Sequence, residues 1–319
     1  MLSSVGSVRP NGSEITADQI LEGVDLSGAT ALVTGVSSGL GVQTARVLAT
    51  HGARLVLAAR DLDKAKRTLA EAGVPGAPYD LRQLDLADLA SVRACADGVA
   101  ADIEQIHLIV ANAGVMATPA GTTADGFETQ FGTNHLGHFV LVNRLLPVLV
   151  RSTPSRVVVV SSAGHRISDV DLDDPNFERT RYDPWLAYGR SKTAMTLFAV
   201  ELDRRHRGRG IRAASVHPGE IKTELGRHLD AETRELMVDR LAGRPMVFKS
   251  VEEGAATAVW AGVQADPDAI GGRYCENCRV AEITTDPAST TGVFAYALDE
   301  DRAAELWSLS ERLVNERFD

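Results

Sequence analysis

Apolar and polar positions alternate in a strand-and-helix beat along most of the chain. Ala31-Leu32-Val33-Thr34 is apolar and runs into a glycine-rich bend, Gly35-Val36-Ser37-Ser38-Gly39-Leu40-Gly41, after which Val42 to Ala49 repeats its apolar residues at helical spacing. Arg54 to Ala59 is a second apolar strand, and Asp61 is placed to cap a helix over 62–72. Gln83-Leu84-Asp85-Leu86 closes a third strand ahead of a helix over 88–101, and Leu108 to Ala111 is a fourth strand that ends at the turn Asn112-Ala113-Gly114. The pattern then predicts a long helix over 127–150, a continuous apolar strand over 156–160 ending in Ser161-Ser162, and a second long helix over 185–207. A strand from Ile211 to Val216 ends in His217-Pro218-Gly219.

Past Gly219 the pattern loosens. Residues 222–245 are charged with helical spacing, and the stretch over about 222–250 reads as a lid above a substrate site. A helix over 251–263, a strand over 271–275 and a last helix capped by Asp299 complete the chain. Leu306, Trp307, Leu309 and Leu313 give that last helix an apolar stripe for core packing or a subunit contact. Near-continuous apolar strands alternating with helices predict a doubly wound, Rossmann-type parallel sheet covered on both faces, with ligands at the carboxyl ends of the strands. A length of 319 residues allows one large α/β domain or two small ones. We take a single domain over 26–319, preceded by an extension over 1–25.

Composition narrows the partners. The formal net charge is −10, which excludes a nonspecific electrostatic grip on nucleic acid or an anionic membrane. The basic cluster Arg204 to Arg209 falls where a long helix ends and reads as a solvated last turn. Residues 1–19 carry no apolar run of the kind a secretory signal needs, and Phe139 to Val150 is interrupted by Asn143 and Arg144, so the expectation is a soluble cytoplasmic protein. Cys95, Cys275 and Cys278 suit a reducing compartment, and Cys275-Glu276-Asn277-Cys278 lacks a second pair or a nearby histidine to complete a metal site.

The glycine turn is the first candidate site. Gly35, Gly39 and Gly41 permit close backbone approach, and the helix that follows offers unpaired N–H groups to a pyrophosphate. Arg60 stands at the end of the second strand, near where NAD-binding folds place an acid for the ribose hydroxyls. A guanidinium there matches a 2′-phosphate and predicts NADP(H) in preference to NAD(H). The second site is Tyr188-Gly189-Arg190-Ser191-Lys192, which sets a phenol and an ammonium one helical turn apart. A nearby cation favours the phenolate, so Tyr188 is expected to exchange protons with a carbonyl or alcohol near neutral pH.

The combination of motifs resembles the short-chain dehydrogenase/reductase family. It is similar in particular to the single-domain branch that includes the retinol dehydrogenases and the WW-domain oxidoreductase. The resemblance is dense over about 20–225 and rests on Thr34-Gly35-x-x-x-Gly39-x-Gly41, Asp85-Leu86, Asn112-Ala113-Gly114, Asn134-His135-Leu136-Gly137-His138-Phe139, Ser161-Ser162, Tyr188-x-x-x-Lys192 and Pro218-Gly219-x-Ile221-x-Thr223. It implies that Tyr188 is the general acid/base, Ser162 holds the substrate oxygen, Lys192 binds the nicotinamide ribose and lowers the tyrosine pKa, and Asn134 holds a water in a proton relay. It further implies that Ser37, Ser38, Leu40 and the turn glycines hold the cofactor phosphates, with Asp85, Leu86 and Asn112 to Gly114 on the adenosine side. Pro218, Gly219, Ile221 and Thr223 would hold the nicotinamide end. Homodimers or homotetramers formed through the helices 127–150 and 186–207 are also implied. The 25 residues between Ser162 and Tyr188 form one wall of the substrate pocket on this reading, and His165-Arg166 falls in a solvated loop or against substrate. Two alternatives remain: a cofactor-bound scaffolding protein without turnover, and an epimerase or dehydratase, whose glycine turn is spaced differently.

Overall fold

The computed structural model describes residues 14–74, 79–222, 225–226, 248–286 and 289–318. Ten strands are present among them: β1 Thr30–Thr34, β2 Arg54–Ala59, β3 Asp80–Gln83, β4 Leu108–Ala111, β5 Ser155–Val160, β6 Ile211–His217, β7 Glu220–Ile221, β8 Phe248–Lys249, β9 Tyr274–Glu276 and β10 Arg279–Val280. Eight of these form one sheet in the order β10-β9-β6-β5-β4-β1-β2-β3. Every pairing in it is parallel except the β9–β10 hairpin at the edge. β7 and β8 pair separately, in parallel.

Successive strand side chains point to opposite faces of a sheet, and here both faces are apolar. Leu32, Val56, Ile109, Val157, Val159 and Ala213 meet a core built with the helices Leu89–Asp102, Gly137–Arg144, Leu146–Arg151, Pro184–His206 and Glu300–Val314. Ala31, Val33, Leu55, Leu57, Val110, Val158 and Ala214 meet a second core with Gly39–Thr50, Leu62–Glu71 and Val251–Val259. The fold is therefore the doubly wound α/β sandwich that the apolar runs predict. Strand order reverses between β1 and β4, which places the ligand crevice at their carboxyl ends.

Residues 14–25 pack against the body. Thr16 and Gln19 form a reciprocal capping box on the short helix Ala17–Ile20. Ala17, Ile20 and Leu21 are buried in the second core, while Asp18 accepts hydrogen bonds from Gln43 and Arg46.

Two predicted elements differ. The helix expected over 127–150 is a π-helical turn Phe131–Leu136, then Gly137–Arg144, a break at Leu145 and a separate helix Leu146–Arg151. Pro147 explains the break: it has no N–H to donate and its ring crowds the carbonyl four residues back. The last predicted strand continues through Asn277 and Cys278, both with positive φ (51° and 54°), into the short antiparallel β10. Two consecutive left-handed residues make the tight turn that matches strand twist. The predicted lid falls largely on 223–224 and 227–247, outside the described residues.

Candidate active site

The turn after β1 is tight because glycine leaves room for it. Gly35 has φ +78°, and a Cβ there would lie 2.8 Å from the Ala113 Cα. At Gly41 a Cβ would collide with the Gly35 carbonyl oxygen and come within 2.7 Å of the Asn112 amide nitrogen. That amide donates to the Thr34 carbonyl at 2.8 Å, tying the end of β4 to the end of β1. Ser38 stands at the N-terminus of the helix Gly39–Thr50 without a side-chain cap bond, so the first N–H groups stay available. Thr68, from the helix Leu62–Glu71, donates to the Ser37 carbonyl at 3.2 Å and fixes the far side of the turn. Arg60 lies exposed two residues past Ala58, whose carbonyl accepts the Gly35 N–H at 2.9 Å. Its backbone is thus close to the turn, and the side chain has no ion-pair partner among the described residues.

Thr34 organises the floor of the site. Its hydroxyl oxygen accepts the N–H groups of Asn112 and Ala113, both at 3.0 Å, and lies 3.0 Å from His138 Nε2. His138 Nδ1 is 2.9 Å from the Asn134 carbonyl, which can only accept. The proton is therefore on Nδ1, and Nε2 accepts from the Thr34 hydroxyl. Burial holds His138 neutral, down to about 4. The sequence shows His138 only as part of a motif; its bonds across two elements have no local signature.

Asn134 lies in the π-helical turn and is fully buried. Its amide nitrogen donates to the Val115 carbonyl and the Ser191 hydroxyl at 3.0 and 2.9 Å, and its oxygen accepts the Val115 N–H at 2.8 Å. The side chain is thus committed to the loop after β4 and to the catalytic helix. Gly114 fits beside it only as glycine, since a Cβ would be 2.9 Å from Asn134 Oδ1 and 3.8 Å from Lys192 Nζ.

Tyr188 and Lys192 rise from the helix Pro184–His206, whose start is fixed by Asp183 accepting the N–H groups of Trp185 and Leu186. Ser162, just past the end of β5, lies beside Tyr188 and accepts the Gly164 N–H at 3.0 Å; a Cβ on Gly164 would be 3.4 Å from the serine Oγ. Gly164 completes the fit: a Cβ there would sit 2.6 Å from the tyrosine ring. The neighbouring Ser161 is buried and spends its hydroxyl on the Lys192 carbonyl at 2.9 Å. One wall beside Tyr188 is apolar, formed by Ala117, Trp185, Met116 and Ile167.

The electrostatics of the pair differ from the expectation drawn from spacing. Burial pushes the Tyr188 phenol well above its ordinary value; the Ser162 hydrogen bond lowers it and the charge of Glu220 raises it further. Lys192 Nζ lies 5.7 Å from the ring centroid and donates to the Val160 carbonyl at 2.9 Å. Burial pushes this ammonium down to about 7. Desolvation of both groups outweighs their mutual effect, so the protein alone holds Tyr188 as the neutral phenol.

Leu40 of the glycine turn and Ile221 of β7 converge on Gly254, where a Cβ would lie 2.7 and 2.8 Å from them. The sequence did not single out Gly254. Gly219 has φ +95° and rests under the Lys249 side chain. Asp85 turns one carboxylate oxygen onto the Ala87 N–H at 3.0 Å, and Leu86 presses against Gly137. Thr223 lies outside the described residues. Among the described residues no group of three or more His, Cys, Asp or Glu could hold a metal ion. All three cysteines are free and buried, which raises their thiols.

The chain's last helix packs on the helices Gly137–Arg144 and Pro184–His206. Phe139 and Phe198 pack on Trp307 of the helix Glu300–Val314, with ring centroids 5.0 and 6.0 Å apart, and His135 Nε2 is 2.8 Å from the Ser310 hydroxyl. Arg205, in the basic cluster, covers the other face of Trp307 at 4.4 Å. The chain's own last helix thus covers part of the surface of the helices expected to pair subunits.

Comparison with known proteins accords with this geometry. The family model described as short chain dehydrogenase matches residues 29–234. The human WW domain-containing oxidoreductase is 39% identical over 313 residues, 95% of this chain and 72% of that protein. Human retinol dehydrogenase 12 is 38% identical over 298 residues, 93% and 89% of the two chains. A Pseudomonas aeruginosa structure, RhlG in an active-site complex with NADP, is 27% identical with a TM-score of 0.62 over 79% of this chain and 95% of that one. With the family model covering more than half the chain and relatives near two-fifths identity along nearly all of it, the chain belongs to the short-chain dehydrogenase/reductase family of oxidoreductases.

Proposed function

We propose that the chain is an NADP(H)-dependent oxidoreductase that interconverts a ketone or aldehyde and its alcohol, with Tyr188 as general acid/base. The observation that carries this reading is the convergence of Ser162 and Tyr188, which both border Gly164, with Lys192 one turn away at the carboxyl ends of the sheet. The cradle at Gly35 and Gly41, which a Cβ would fill, and the uncapped helix N-terminus fit a dinucleotide pyrophosphate. When bound, the nicotinamide supplies or accepts a hydride.

The chain's residues supply the rest. In the reducing direction the Ser162 hydroxyl holds the substrate oxygen, and Tyr188 gives its proton to that oxygen as the carbonyl carbon gains hydride. The neutral phenol that burial favours is the form this step consumes. Lys192 would hold the nicotinamide ribose hydroxyls, and Asn134 braces the loop that carries Gly114. Met116, Ile167 and Trp185 select a substrate with an apolar face next to its carbonyl. The NADP(H) preference rests on Arg60; a solved relative in complex with NADP lends it support.

The test is NADPH and NADH oxidation across a panel of aldehydes, cyclic and aromatic ketones, steroids and quinones. We expect turnover of at least one apolar carbonyl, with NADPH favoured, and a fall of about tenfold in the NADPH/NADH preference for Arg60→Ala. NADPH binding without turnover of any panel member favours the scaffolding alternative. An unchanged coenzyme ratio in Arg60→Ala removes the argument from Arg60.

A further inference from the structure

His165 sits in the short turn Ala163–Ile167 that follows Ser162, and its ring is fully buried, neither solvated nor open to substrate. Its Nδ1 is 2.8 Å from the Ser162 carbonyl. A carbonyl only accepts, so Nδ1 carries the proton and Nε2 takes the Phe294 N–H at 3.3 Å. The His165 carbonyl accepts the hydroxyl of Tyr296 at 2.7 Å and that of Thr193, next to Lys192, at 3.2 Å. The neighbouring Arg166 donates to three consecutive carbonyls, Ser289, Thr290 and Thr291, at 2.9, 3.3 and 3.1 Å. That stretch is anchored in turn by the Gly292 N–H, which donates to Glu276 at 2.6 Å. Ser162 thus shares a turn with the residue onto which the segment 289–296 is fastened.

We propose that His165 is a positioning residue for Ser162, and that through it the segment Ser289–Tyr296 sets where the serine hydroxyl meets the substrate oxygen. This rests on the proposed role of Ser162. The imidazole N–H, at 2.8 Å, makes the shorter of two bonds to the Ser162 carbonyl, the other coming from the His165 backbone N–H at 3.1 Å. The Ala163 N–H of the same peptide plane donates to His217 Nδ1 at 3.3 Å. The same plane leads to Gly164, whose N–H holds the serine hydroxyl and whose missing side chain admits Tyr188. A rotation of the plane displaces the hydroxyl from the phenol while leaving the glycine turn after β1 untouched.

The experiment is a double-mutant cycle read in kcat, with NADPH affinity measured alongside. His165→Leu removes both ring bonds and is expected to lower kcat about tenfold with NADPH affinity unchanged. In His165→Asn the amide nitrogen replaces the Nδ1 donor, and kcat is expected to return to within about threefold of the parent. In a Ser162→Ala background His165→Leu is expected to cost less than about twofold, since the group it positions is gone. Tyr296→Phe, which keeps the imidazole, gives a smaller loss with the same dependence on Ser162 and serves if His165→Leu does not fold. Equal losses in both backgrounds, or an asparagine variant as impaired as the leucine one, overturn the proposal alone. Full turnover by Ser162→Ala itself overturns the role of Ser162, and with it this proposal.

Discussion

Lys192 and Tyr188 show how burial redirects a motif. One helical turn between a phenol and an ammonium says that they share a face, and that much was legible. It says nothing of how dry the face is. Both are buried, and burial holds the lysine ammonium down to about 7. A cofactor of net negative charge that hydrogen-bonds the ammonium stabilises its charged form. The bound state therefore carries more protons than the free one, and affinity must fall as pH rises through the free-state value. We predict net proton uptake on NADPH binding at pH 7–8, measured by calorimetry in buffers of different ionisation heat, and weaker binding at pH 9. Lys192→Met is expected to abolish the uptake. Binding with no proton exchange in the wild type contradicts this electrostatic account. That Ser162 rather than Ser161 lies beside Tyr188 was legible from the motif; the proposed role of His165 was not, because its partners other than Ser162 and Thr193 are Phe294 and Tyr296, in another segment.

At the scale of elements, two turns divide the work. On the proposed reading the turn after β1 serves the cofactor and the turn after β5 serves the tyrosine, and each depends on a glycine with no space beside it. Gly41→Ala forces the glycine turn to shift and is expected to weaken NADPH binding by at least about tenfold. Gly164→Ala pushes on the Tyr188 ring and is expected to lower kcat about 10²-fold with NADPH affinity retained. Equilibrium binding and steady-state kinetics on both variants check the split; the same profile for both contradicts it. The first turn was legible because its glycines form a spaced motif. Gly164 and Gly254 were not, because what forbids a side chain there is a ring or a leucine from a distant element. The break at Leu145 had its signal in Pro147, and the apolar continuity on either side concealed it.

For the whole molecule, the alternation of apolar strands and helices was enough to read a doubly wound sheet with sites at the strand ends. It could not say which outer surfaces remain open. The helix Pro184–His206 has nearly every residue buried within the single chain, and Trp307 fills the groove between it and the helix Gly137–Arg144. We predict a monomer of 34.1 kDa by sedimentation equilibrium. Trp307→Ala is expected to cost about 3–5 kcal/mol of stability, as for other large core truncations, and to promote self-association through the uncovered face. A stable wild-type dimer that pairs through these two helices would contradict the packing described.

The central claim is that Tyr188 moves the proton that accompanies hydride transfer. Its most direct test is single-turnover NADPH oxidation, in wild type and Tyr188→Phe, with the carbonyl that the wild type reduces fastest. The account predicts a loss of about 10²–10⁴-fold in the rate of that step with NADPH affinity unchanged. A variant that oxidises NADPH within about twofold of the wild-type rate would show that the proton comes from elsewhere.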